Sequence, residues 1–140
     1  MPTSAIPARL APMCQATADT QIRLPTDATA SAKARRFLVS ARCTVHNTAV
    51  LDEALLMVSE LVGNAVSHGA PPITLKVSCN GSEGMEVRVS DGSDRLPQRG
   101  KPEPTSENGR GLHLVDVLSS RWGVDSTRNG KEVWFLLRPE

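Results

Sequence analysis

The stretch from Thr48 to Asp91 constrains the fold more than any other part of this sequence. Leu51, Leu55, Val58, Val62 and Ala65 recur at helical spacing and line up as one apolar stripe. Thr48 is the expected N-cap, with Asp52 and Glu53 well placed against the helix dipole in the first turns. The helix is expected to run to Gly69, beyond which Pro71 and Pro72 forbid its continuation. Two alternating runs follow. Ile73, Leu75, Val77 and Cys79 share one face, and after a turn at Asn80-Gly81-Ser82-Glu83-Gly84 so do Met85, Val87 and Val89. The same parity carries Asp91 onto the apolar face. A one-sided helix beside two one-sided strands buries all three faces by stacking in two layers.

The rest of the chain extends this unit. Thr20–Leu24 alternates and is stopped by Pro25, which suits a short edge strand. Residues 28–43 read as an amphipathic helix on Ala34, Phe37, Leu38 and Ala41. A further helix is expected over Gly111–Ser120, from Leu112, Val115 and Leu118. A final hairpin, Trp122–Thr127 and Lys131–Leu137, turns around Arg128-Asn129-Gly130. The order implies an α/β (α+β) two-layer sandwich, with helices on one face of a mixed, mostly antiparallel sheet. Between them, residues 92–110 hold three glycines and three prolines, with Leu96 as the sole large apolar residue. A loop of that length in a compact domain is usually functional or disordered. Residues 1–19, broken by Pro2, Pro7 and Pro12, read as a disordered tail ahead of a single domain at 20–140.

Charge and composition remove several functions. Among 140 residues, 16 Lys and Arg against 15 Asp and Glu leave a net charge of +1, so no basic stripe is available to track a phosphate backbone. Two Phe, two Trp and no Tyr make a poor stacking platform for single strands. Direct nucleic-acid binding is therefore not expected. The densest apolar run, Ala54–Val58, is far short of the roughly 18 residues a membrane helix needs. Cys14, Cys43 and Cys79 are odd in number and widely spaced, so neither a disulfide framework nor a zinc site is expected. With no apolar signal segment, the expected location is cytoplasmic.

Three features carry candidate chemistry. Asp91 places a carboxylate on a core face, which costs several kcal/mol unless paired. Either it caps a turn with Gly92, or it accepts a hydrogen bond from a buried donor such as the exocyclic amine of a purine. Gly109-Arg110-Gly111 precedes a helix, where unsatisfied N–H groups can hold a phosphate; an ordinary flexible joint is the alternative. Glu60, Asn64 and His68 are spaced by four and share a helix face, opposite the apolar stripe. A solvated face would explain them. Yet an Asn amide oxygen also suits a hard cation such as Mg2+, and a Glu one turn away can align or deprotonate a hydroxyl.

Together these residues resemble the GHKL ATPases, the group of gyrase, the heat-shock chaperone, histidine kinases and the mismatch-repair ATPase. Glu60-Leu-Val-Gly-Asn64-Ala-Val-Ser-His68-Gly69 looks like that family's N-box. Asp91 takes the place of its adenine-reading Asp, and Gly109-Arg110-Gly111-Leu112 looks like its second glycine box. The small size, Ser59-Glu60-Leu61 and a Trp-Gly near the C-terminus are similar to the bacterial anti-sigma-factor serine/threonine kinase branch, over about residues 20–138.

The resemblance implies a Bergerat fold and ATP and Mg2+ as ligands. Asn64 would hold the metal, and Asp91 the adenine amine. Gly109, Gly111 and Leu112 would hold phosphates, with Arg110 near them. Glu60 would be the general base, and residues 92–108 the lid. It further implies a sigma factor and an antagonist protein as partners, phosphorylation of a Ser or Thr on the antagonist, and a homodimer as one assembly. Three positions depart from the family's pattern. Ser93 and Arg95 stand where Asp-x-Gly-x-Gly has its glycines, and Lys131 follows Gly130 where the family often has Thr. Two other readings stay open: a non-catalytic binding module, and a detached histidine-kinase catalytic domain.

Overall fold

The computed structural model describes residues 20–44, 46–94 and 107–139. Five strands, β1 (Thr20–Leu24), β2 (Ile73–Cys79), β3 (Met85–Asp91), β4 (Arg121–Thr127) and β5 (Gly130–Leu137), form one sheet in the order β1-β2-β3-β5-β4. Every pairing among them is antiparallel, so the described sheet carries no parallel pair. Three helices, α1 (Ala30–Ala41), α2 (Leu51–His68) and α3 (Glu107–Leu118), pack on one face, with α2 between α1 and α3.

Register explains the core. Leu75 lies opposite Val89, and Val77 opposite Val87. Val89 in turn faces Val133, and Val87 faces Phe135. These rows meet Ala54, Met57, Val58, Leu61, Val62 and Ala65 of α2, all buried. Ala30, Ala34 and Leu38 of α1 and Leu112 and Val115 of α3 close the layer. Leu51 and Leu55 of the expected stripe are only partly buried, and Ala54, Met57 and Leu61 take their share.

The other face of the sheet is polar. Arg88 bridges Glu86 and Glu132 and lies 5.5 Å from the centre of the Trp134 ring. Burial opposes its charge. The hydrogen bond to Glu132 and the charge of Glu86 outweigh that and raise its pKa above the ordinary arginine value. A side chain on Gly123 would strike the Trp134 indole at 2.8 Å, so glycine there lets the ring lie flat across the neighbouring strand.

Three local expectations are corrected. Thr48 does not cap α2: a 3-10 turn, Thr48–Val50, precedes the helix, and the Thr48 hydroxyl donates to the Thr44 carbonyl at 3.1 Å. α3 starts at Glu107, four residues before the expected Gly111, so both glycines of the second box lie inside the helix. The last hairpin turns on Arg128 and Asn129, with Thr127 paired to Gly130. Gly130 is required by a different contact, because a Cβ there would overlap the Asp91 carbonyl. The expected tail over residues 1–19 and most of the expected lid, 95–106, lie outside the described residues.

Candidate functional site

The site is organised by the C-terminal end of α2 meeting the C-terminal end of β3. α2 stops at His68, and the Gly69 N–H donates to the Ala65 carbonyl at 2.9 Å. A Cβ on Gly69 would lie 2.7 Å from both the Ala65 carbonyl oxygen and Asp91 Oδ2. Glycine is therefore what lets the helix end approach the carboxylate. Just beyond, the Gly92 N–H donates to the Ala70 carbonyl at 2.7 Å, tying the end of β3 to the segment after α2.

Asp91 is buried on the helix-facing side of β3, with 8% of its surface exposed. Cross-strand register sets Lys131 opposite it, and Lys131 is also buried, at 6%. The ammonium sits 3.0 Å from Oδ1 and 3.0 Å from Oδ2. The Ser93 N–H donates to Oδ1 at 2.8 Å. The turn-capping reading of Asp91 is met by the Ser93 N–H, and the buried donor in this structure is the Lys131 ammonium. A carboxylate offers about four acceptor directions. Among the described residues three are used, and the remaining one is on Oδ2, the oxygen against Gly69.

Lys131 is the site-lining partner that reasoning on the Asp91 carboxylate alone did not place. Alternation in β5 was the available signal: Lys131 shares parity with Val133, Phe135 and Leu137, all buried. That is an unusual seat for lysine. Breaking such a buried pair from one side typically costs about 3–5 kcal/mol, because the other charge is left uncompensated.

Asn64 and Glu60 are half-buried on α2, whereas His68 is exposed. At about 1.5 Å rise per residue, Asn64 lies roughly 7.5 Å and Glu60 roughly 13.5 Å along the axis from Gly69. The Asn64 amide and then the Glu60 carboxylate therefore recede along α2 from the helix end that meets Asp91 on β3. In the second glycine box, Gly109 and Arg110 fall among the first four helical N–H groups, which have no partner within a helix. Gly111 and Leu112 come after them, where N–H groups are committed to the helix, and the Leu112 side chain is in the core. α3 packs beside α2, so the box and the Glu60/Asn64 helix are neighbours.

One cluster runs against the sequence reading. Cys43, His46 and Cys79 converge, with their sulfur and nitrogen atoms all within 4.8 Å of one another, so a Cys/His cluster does exist. The α1–α2 connection supplies Cys43 and His46, and the end of β2 supplies Cys79, which is distant in sequence. The Cys-x-x-His spacing at 43 and 46 was the one available signal.

Helices on one face of an antiparallel sheet, with an N-box helix ending on a buried strand-end carboxylate, define a protein of the Bergerat, GHKL-type fold. The chain belongs to the histidine kinase-like ATPase domain family, whose model matches residues 24–137. It is similar in structure to the RsbU and RsbW domains of Rv1364c from Mycobacterium tuberculosis. That match has a TM-score of 0.59 and 20% identity, and covers 87% of this chain and 32% of that one. At this identity the likeness is one of fold, and the chain spans only part of that protein's length. No curated protein sequence matches the chain. No helix among the described residues is long and apolar enough to cross a membrane.

Proposed function

We propose that this protein binds Mg-ATP and works as a regulator of the anti-sigma-factor kinase kind. It would sequester a sigma factor and transfer a phosphoryl group to a Ser or Thr of an antagonist protein. The observation that carries the reading is the buried Asp91 carboxylate at the end of the helix that bears Glu60 and Asn64. Membership in a histidine kinase-like ATPase family supports it.

The donor chemistry fits the ligand. Asp91 retains one acceptor direction for an exocyclic amine, on the oxygen against Gly69. The Asn64 amide oxygen suits a hard cation. When bound, Mg2+ neutralises charge on the phosphates. Gly109 and Arg110 would present N–H groups to phosphate oxygens at the start of α3. Glu60 would accept the proton of the attacking hydroxyl or align it. Partner phosphorylation, the sigma factor and a homodimer rest on the family resemblance.

A second reading, a nucleotide- or protein-binding module without turnover, is favoured by one observation. Lys131 occupies both oxygens of Asp91, so adenine would share that carboxylate with a resident cation. Labelled ATP incubated with the protein and candidate antagonists separates the two. Phosphoryl transfer that depends on Glu60 supports the kinase, and saturable binding with no transfer to any partner supports the module.

A further inference from the structure

We propose that Cys43, His46 and Cys79 form a binding site for a thiophilic divalent cation, Zn2+ foremost, which pins the α1–α2 connection to the end of β2. Cys43 follows α1 and is fully buried, His46 lies on the same connection, and Cys79 is the last residue of β2. The three are remote from the Asp91 site in the sheet: Cys79 and Asp91 lie at opposite ends of the β2–β3 hairpin.

The distances have the proportions of a tetrahedral edge. With Zn–S near 2.3 Å and Zn–N near 2.0–2.1 Å, two ligands at a tetrahedral angle sit about 3.5 Å apart, sulfur to nitrogen. His46 Nδ1 is 3.5 Å from Cys43 Sγ and 3.5 Å from Cys79 Sγ. One ring nitrogen equidistant from two sulfurs is poorly explained by hydrogen bonding alone, since Nδ1 has a single in-plane direction to donate or accept. A cation between the three atoms uses all of them at once.

Two further features suit thiolates. The Gly81 N–H donates to Cys79 Sγ at 3.4 Å, a bond that stabilises negative charge on that sulfur. Gly81 adopts a positive φ of 62°, the conformation of the turn that follows Cys79. On the Cys43 side, Asn47 folds back, its N–H donating to the Cys43 carbonyl at 2.8 Å and its Oδ1 accepting from the Cys43 N–H at 3.4 Å. Asn47 is fully buried, and its Nδ2 has no hydrogen-bond partner, a donor left over on the loop that carries two of the three ligands. Two thiolates and an imidazole favour Zn2+ over Mg2+ or Ca2+. With three protein ligands, the fourth position is open to water.

The test uses the full chain carrying Cys14→Ser, so that the only thiols are Cys43 and Cys79. The reduced protein is titrated anaerobically with Co2+ and then Zn2+. The expected result is one Co2+ per chain, with thiolate-to-cobalt charge-transfer and tetrahedral d–d bands that one equivalent of Zn2+ abolishes. His46→Ala and Cys79→Ser, at partly exposed positions, should fold by circular dichroism. Each should lose Zn2+ affinity by more than the roughly 10- to 100-fold that a change around the ligands costs. Absence of the bands in the parent overturns the site, as do bands that survive both substitutions. A Cys43–Cys79 disulfide that persists under reductant, with no metal uptake, overturns it too.

Discussion

At Asp91, the ordinary rule that lysine stays at the surface fails in an informative way. A lone buried carboxylate needs a partner, and Lys131 supplies one from the facing strand at 3.0 Å. The family resemblance places threonine at that position. Lys131→Thr should therefore act in opposite directions on two measurements. Stability of the free protein should fall by about 3–5 kcal/mol, because the Asp91 charge loses its counter-ion. ATP affinity should rise, because the amine then shares the carboxylate only with the Ser93 N–H. Chemical denaturation and calorimetric Kd, on parent and variant, check the pair. A variant that loses stability and binds ATP more weakly would show that Lys131 contributes to nucleotide binding instead of competing with it. Residue alternation made Asp91 legible in the sequence, but it could not show the ion pair. That pair depends on the β3–β5 register, set between strands separated by 38 residues of chain from Asp91 to Gly130.

At the scale of elements, α2 carries the argument. Its apolar stripe, its stop at Gly69 and the strands after it were readable because helical and strand periodicities are local properties. The helix start was not. Thr48 has the right chemistry for a cap, but a 3-10 turn intervenes, and no side chain caps the first N–H groups. The early start of α3 was hidden for a similar reason, since glycines at 109 and 111 read as a break when tertiary packing on α2 can hold them helical. Two predictions belong to α2. Gly69→Ala should lower stability by roughly 1–3 kcal/mol and weaken nucleotide binding, because its methyl would press on the Asp91 carboxylate. Thermal melts with and without ATP check this, and an unchanged melt with unchanged Kd would mean the helix end can move aside. Glu60→Gln should cut phosphoryl transfer by about 10²–10⁴ while leaving ATP binding level or slightly tighter. Transfer at the parent rate would remove Glu60 as the base.

For the whole molecule, the two-layer plan follows from where the apolar faces lie. One face of the sheet takes three helices, and the other is closed by Arg88, its carboxylate partners and Trp134. Over the described residues the order of the five strands and three α-helices was legible, and the 3-10 turn at Thr48–Val50 was not. The Cys43–His46–Cys79 cluster was not, because the fold alone joins the α1–α2 connection to the end of β2. The central claim is that this architecture delivers Asp91 to an adenine. Titration calorimetry of ATP, with and without Mg2+, on the parent chain and on Asp91→Asn tests it most directly. A hydrogen bond to a charged group is worth about 1.5–3 kcal/mol, so the account predicts saturable one-to-one binding that strengthens with Mg2+ and weakens roughly 10- to 150-fold in the variant. No saturable binding by the parent, or equal affinity in the folded variant, would contradict it.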